Sequence, residues 1–239
     1  MRNTLLASMI VCAITLTPAM GHAQTESPLS PRVEVRAHLG VPAQAKHRAV
    51  PAVMWLESLD GQPPPPFPPH ARYTLTQHDR MFMPHLLIIP VGSMVSFPNQ
   101  DPFFHNVFSL FDGKRFDLGL YEAGSSKEVP FTREGVSYIF CNIHPEMSAV
   151  IVALSTPLYA SANASGSFAI HAVSPGDYKM HLWVEGVPQS VLDGFSRRVH
   201  LSGSSVDLGE LQVSVTPKPT MNHANKFGGS YDQDSKPTY

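Results

Sequence analysis

From residue 31 onward, short runs of β-branched, aromatic and aliphatic residues alternate with Gly, Pro and Asn breaks. The runs lie at 33–35, 52–56, 73–76, 86–89, 94–97, 107–111, 136–140 and 149–154, and four more follow a composition change after Leu154, at 166–173, 178–184, 197–201 and 208–215. Within the later group Phe168 and Ile170 alternate with Ala169 and His171, and Tyr178, Met180 and Leu182 with Lys179 and His181. A period of two gives a strand one buried face, and no run keeps a helical period over three turns. Strand signals at this spacing predict an all-β protein of sandwich or barrel type. Asp112-Gly113, between the run at 107–111 and Arg115 to Leu118, predicts a tight hairpin turn.

Composition sharpens this picture. Proline contributes 23 of 239 residues, about twice its usual share, and each one removes a ladder donor and blocks a helix interior. Six of them fall within 62–69, which reads as an extended polyproline connector. Charged residues are scarce at 15%, and Lys+Arg 17 against Asp+Glu 19 leaves a net charge of -2. That balance excludes a polyphosphate partner such as a nucleic acid.

The first 23 residues stand apart from the fold. Arg2, an apolar run from Leu5 to Leu16, the Thr17-Pro18 break and small residues at Gly21 and Ala23 form a secretory signal pattern, with cleavage expected after Ala23. Nothing downstream approaches the roughly 20 apolar residues of a transmembrane helix. The expectation is therefore a periplasmic or secreted protein without a transmembrane segment. Residues 24–30 form a polar lead-in, 31–155 and 156–216 two β units, and 217–239 a disordered tail too poor in apolar surface to offset its ordering entropy.

Export makes the cysteines informative. Cys12 lies inside the signal, so Cys141 is left alone and an intramolecular disulfide is excluded. A lone thiol in an oxidising compartment pairs between chains, is deeply buried, or is held by a metal. The surrounding Cys141-Asn142-Ile143-His144-Pro145-Glu146-Met147 puts a thiolate, an imidazole and a thioether on one loop between two strand runs. With 12 His and 10 Met in 239 residues, chance places a His three and a Met six positions after a given Cys about 0.2% of the time. Such a ligand set selects copper, in a trigonal His₂Cys plane with a weak axial Met. His105, at the start of an upstream strand run, supplies the second imidazole. The metal ligands expected are thus His105, Cys141, His144 and Met147. The remaining histidines, His85 included, have no spacing that suggests a second metal. The sequence has no Cys-x-x-Cys-His haem motif or G-x-S-x-G elbow, and no third group orienting a Cys141/His pair is evident from it, so the chain is not expected to be an enzyme.

F-M-P followed by L-L-I-I-P-V-G-S-M-V-S-F-P-N (Phe82 to Asn99), H-N-V (His105 to Val107) and C-N-I-H-P-E-M resemble the cupredoxins, the blue-copper family. The two-residue spacers on either side of His144 are similar to the short ligand loop of amicyanin. With K-R-F-D-L-G-L-Y (Lys114 to Tyr121), the chain is also similar to bacterial cupredoxin-like proteins named for methylamine utilization, over most of 50–185. G-S-F-A-I-H-A-V-S-P-G-D-Y-K-M-H-L-W resembles the second half of transthyretin-like, carboxypeptidase-regulatory-type Ig-like modules, with a turn at Ser174 to Asp177.

These resemblances imply a cupredoxin Greek-key β-sandwich at 31–155 followed by a small Ig-like β unit at 156–216. They imply one copper ion, with His105, Cys141 and His144 equatorial and Met147 axial. Asn106 would tie the first ligand loop to the Cys loop by hydrogen bonding, and the ring edge of His144 would be the electron portal within a patch of Phe103, Phe104 and Pro145. The function implied is one-electron transfer between periplasmic redox proteins. The alternative is a copper-binding or copper-sequestering module whose Ig-like unit contacts a glycan or protein. In short-loop relatives the portal histidine exchanges reduced copper for a proton, which for His144 predicts a potential that rises as pH falls through the mildly acidic range. Two assignments are open for the runs at 33–35 and 52–56. H-L-G-V-P-A-Q and A-V-M-W-L-E resemble the opening half of the Ig-like module, whereas 71–155 alone is short for a cupredoxin, and length favours placing 52–56 there.

Overall fold

The structure, a computed structural model, describes residues 32–41, 49–61, 63–67, 72–110 and 113–214. The expected signal, lead-in and tail, Asp112 of the expected hairpin turn, and 62 and 68–69 of the polyproline run lie outside them.

The chain folds into strands β1 (Val33–Gly40), β2 (Ala52–Ser58), β3 (Tyr73–Thr74), β4 (Thr76–His78), β5 (Met81–Met83) and β6 (Leu86–Pro90). Then come β7 (Ser93–Pro98), β8 (His105–Ser109), β9 (Phe116–Tyr121), β10 (Ser126–Phe131), β11 (Gly135–Phe140) and β12 (Ser148–Leu154). The last group is β13 (Tyr159–Ser161), β14 (Ser167–Val173), β15 (Gly176–Val184), a single helical turn α1 (Gln189–Leu192), β16 (Arg197–Leu201) and β17 (Ser205–Gln212).

Two sheets built from 73–154 face each other, ordered β6-β12-β11-β8-β9 and β10-β7-β3, with the β4-β5 hairpin beside them. The chain crosses between them from β7 to β8, β9 to β10 and β10 to β11, as a Greek-key sandwich requires. Their shared core holds Phe97, Val107, Tyr121, Phe131, Ile139 and Ile151. The second unit is a pair of sheets, β14-β1-β17 and β13-β2-β15-β16, around Val35, Met54, Leu56, Phe168, Met180 and Trp183.

Strand pairing corrects the placement of 52–56 in the cupredoxin sandwich. β1 pairs with β14 and β17, and β2 with β13 and β15, all within 159–212. Both hydrogen-bonding edges of β2 are thereby filled, so none is free for the sandwich. The Ig-like unit is discontinuous in sequence, and the sandwich is carried between its first two strands and the rest.

β12 joins the two units. Its alternation is split: Ala149, Ile151 and Ala153 face the sandwich core, while Val150, Val152 and Leu154 belong to the core of the Ig-like unit. A strand buried on both faces reads as a continuous apolar run, as Ala149 to Leu154 does. Beside it Trp183 Nε1 donates to Tyr138 Oη of β11 at 3.1 Å, and His85 Nε2 lies 2.5 Å from Glu185 Oε1. Among the described residues no helix is long and apolar enough to cross a membrane.

Candidate metal centre

His105 opens β8, and the segment before it is knit by Asn99. The Asn99 side chain donates to the Phe103 carbonyl at 2.8 Å and accepts the Asp101 amide at 3.1 Å. Cys141 directly follows β11. Its loop closes on itself, with the Met147 amide donating to the His144 carbonyl at 3.0 Å and the Cys141 amide to the Met147 carbonyl at 3.3 Å. β8 and β11 are neighbours in one sheet, pairing at Phe108 and Phe140, so the two segments meet at one end of the sandwich.

There the structure brings His105, Cys141 and His144 together. Cys141 Sγ lies 3.7 Å from His105 Nδ1 and 3.6 Å from His144 Nδ1, and the two Nδ1 atoms are 3.1 Å apart. His105 and Cys141 are fully buried, and His144 is 6% exposed. Met147 is buried in the same core cluster as Cys141. Phe103 packs its ring against both imidazoles, with centroids 5.2 Å from His105 and 5.7 Å from His144. Of the expected portal patch, Phe104 is 53% exposed and Pro145 exposed, while Phe103 is half-buried and His144 itself nearly covered.

Burial dominates the electrostatics. It pushes the Cys141 thiol up, opposed by the backbone N–H groups of Asn106, Ile143 and His144 directed at the sulfur. Burial, then the neighbouring His105 and Arg80, push His144 down to about 4. Burial also lowers His105, against the pull of Asp101. Both imidazoles are thus kept neutral at neutral pH, each with one ring nitrogen available as a metal ligand.

Asn106 works differently from the role the resemblance implied. Its Nδ2 donates to Asp117 Oδ1 at 2.7 Å on the β9 side, its Oδ1 is unpaired, and the tie to Cys141 comes from its backbone N–H. Sequence reasoning missed Asp101 altogether. Its Oδ2 stands 2.7 Å from His105 Nε2, the ring nitrogen remote from Cys141. A carboxylate four residues before a ligand histidine was the only signal, and it has no periodicity to mark it. His85, given no metal role from its spacing, is half-buried and bonded to the Ser148 carbonyl and Glu185.

Comparison with known proteins adds the following. Residues 159–198 match the family described as polysaccharide lyase family 4, domain II, an fn3-type module. No curated protein matches the chain. Among solved structures, the chain is similar to the Cu-containing nitrite reductase of Thermus scotoductus SA-01, with 26% identity over 35% of this chain and 22% of that one, at a TM-score of 0.34. It is also similar to a purple cupredoxin from Nitrosopumilus maritimus, with 26% identity over 34% of this chain and 99% of that one, at a TM-score of 0.32. A reduced amicyanin variant shares 19% identity over 35% of this chain and 82% of its own, at a TM-score of 0.33. The chain therefore spans about a fifth of the nitrite reductase it matches. The fold is all-β, a Greek-key sandwich joined to an Ig-like unit.

Proposed function

We propose that the protein is an exported one-electron carrier in which His105, Cys141 and His144 would hold a single copper ion, with Met147 as a further, weak ligand. The convergence of three buried donors, a thiolate between two imidazole nitrogens, carries this reading. Donors placed about 2.1 Å from an ion in a trigonal plane stand about 3.6 Å from one another. The two separations from sulfur, 3.7 and 3.6 Å, match that value, and the 3.1 Å between nitrogens is about half an ångström shorter. A buried thiol whose protonated state is favoured only by desolvation gives up its proton to a metal, and the three N–H groups around it stabilise the resulting charge.

When bound, copper supplies one-electron exchange between Cu(I) and Cu(II). The chain's own residues keep the reorganisation small. His105 and Cys141 are fixed at the ends of adjacent strands, the Cys loop is closed by its own amide bonds, and Phe103 wedges both imidazoles. Burial of the donor atoms keeps water from them, which would suit electron transfer. Phe104 and Pro145 are exposed beside the ligands and offer donor and acceptor proteins an apolar footing. The Ig-like unit shields the outer face of β12 and so stiffens the sheet that carries the ligands.

Voltammetry of the copper-loaded mature protein tests this. A reversible one-electron couple that also accepts electrons from a small soluble redox protein is expected. Copper bound by the same residues but inert to both reductant and oxidant would overturn the carrier reading in favour of sequestration.

A further inference from the structure

We infer that Asp101 is a positioning residue that keeps the reduction potential of this centre low, by holding a fixed negative charge against the far nitrogen of His105, and that the tip of the β4-β5 hairpin is built to hold Asp101 there. The inference rests on the copper-carrier reading above.

The geometry is complete around the carboxylate. Oδ2 lies 2.7 Å from His105 Nε2, and the side chains are 4% and 0% exposed. With Nε2–H donating to Asp101, the ring is held as the tautomer whose Nδ1 lone pair faces Cys141 and His144. Two backbone amides hold the other side of the acid: Asp79 N–H donates to Oδ1 at 2.7 Å and Arg80 N–H to Oδ2 at 3.0 Å. These two residues are the whole turn between β4 and β5, and both adopt left-handed φ values, 51° and 55°. Neither is glycine, so the backbone carries strain at a point where it aims two donors at one buried anion. Burial opposes ionisation of Asp101, but the Arg80 amide, His105 and the Asp79 amide outweigh it and hold the carboxyl below its usual range.

The charge count then decides the direction. A divalent ion with the Cys141 thiolate and the Asp101 carboxylate makes a neutral cluster, whereas the monovalent ion leaves the same cluster with one buried negative charge. A carboxylate on the outer nitrogen also makes the imidazole a stronger donor. Both effects favour the oxidised state. The N–H groups on Cys141 and the Arg80 guanidinium, 5.3 Å above the Phe103 ring, act the other way. Arg80 is exposed and separated from the ligands by that ring, and His78 Nδ1 is half-exposed at 4.0 Å from Oδ1. The directly bonded and buried Asp101 dominates both.

Asp101→Asn keeps the volume and removes the charge. Expected is a copper-loaded variant that retains its thiolate band while its Cu(II)/Cu(I) equilibrium shifts about tenfold toward the reduced form, 59 mV for one electron. Asp101→Ala should shift the same way. An Asn variant that keeps the band with a shift below about twofold would overturn the inference. Nitrogen-15 NMR of the metal-free wild type gives a second test that needs neither variant nor copper. A slowly exchanging proton on His105 Nε2 is expected, and a bare or freely exchanging Nε2 would show that the clamp does not exist. Wild-type protein lacking a thiolate band or a reversible couple would instead refute the carrier reading, whatever the NMR result.

Discussion

Replacing Leu154 by Ala tests whether the two β units share one strand. Leu154 ends β12, pairs with Pro90 of the sandwich, and accepts the Val91 amide at 2.9 Å through its carbonyl, yet its side chain is 1% exposed within the core of the Ig-like unit. Truncation of a fully buried Leu costs about 2–5 kcal/mol, part of it for the cavity left behind. Strands on both sides restrict collapse, which places the cost near about 3 kcal/mol and the fall in Tm at about 6–12 °C for a chain of this size. The probes can be separated by position. Both tryptophans, Trp55 and Trp183, lie in the Ig-like sheet, whereas the visible copper band reports on the ligand end of the sandwich. Thermal melts followed by tryptophan fluorescence and by the copper band should move down together. If fluorescence melts early while the band keeps its wild-type midpoint, the units fold independently and the shared-strand argument fails.

The metal-free protein should lose stability on mild acidification. An unfolded imidazole titrates near about 6.5, whereas folded His144 is pushed down to about 4, so between these values the unfolded chain takes up a proton that the folded chain refuses. Stability is whole above about pH 6.5, falls through that window and levels off below about pH 4, for a loss of up to about 3 kcal/mol, with His105 acting in the same direction. Urea midpoints at pH 7.5 and pH 5 check this, and equal midpoints would contradict it. In the reduced copper protein, the rise of potential on acidification should begin only as pH approaches 4, and a full rise centred near 6.5 in voltammetry would show His144 to be far more open to solvent than its burial indicates. Met147→Leu should retain copper and raise the potential, because an axial thioether bond is long and weak, whereas His105→Ala should lose the thiolate band; equal copper loss in both would contradict the ligand ranking. A fragment of residues 72–155 exposes Val150, Val152 and Leu154 and should bind an apolar dye and aggregate, while a monomeric fragment with the wild-type Tm would contradict the role given to β12.

The ligand loop was legible because its information is local: a thiolate, imidazole and thioether at fixed spacing survive any choice of strand pairing. Strand existence was legible where a buried face repeats over several apolar residues, as at Tyr178, Met180 and Leu182. β10 escaped notice because Ser126-Lys127-Glu128 and Pro130 dilute its two core residues, Val129 and Phe131, and β5 because it has three residues with only Phe82 buried. The ownership of β2 was legible only as the resemblance of A-V-M-W-L-E to the opening half of the Ig-like module, which chain length outweighed. Its partners lie some hundred residues onward, and the apolar pattern of 52–56 suits an inner strand of either sheet. Asp101 was hidden for a related reason: its meaning comes from amides of a hairpin tip 21 and 22 residues earlier, whose left-handed turn is formed by Asp79-Arg80 in place of the Asn-Gly that would have announced it.

The central claim, a copper ion bound to the Cys141 thiolate between two imidazoles, is tested most directly by the optical and paramagnetic spectrum of the copper(II)-loaded mature protein beside its Cys141→Ser variant. An intense visible charge-transfer band that bleaches with mild reductant is expected from the wild type, because a short Cu–S bond mixes sulfur and metal orbitals. The variant should keep its β-sheet circular dichroism and lose the band. A colourless wild type at full copper occupancy, or a band unchanged by Cys141→Ser, would contradict the account.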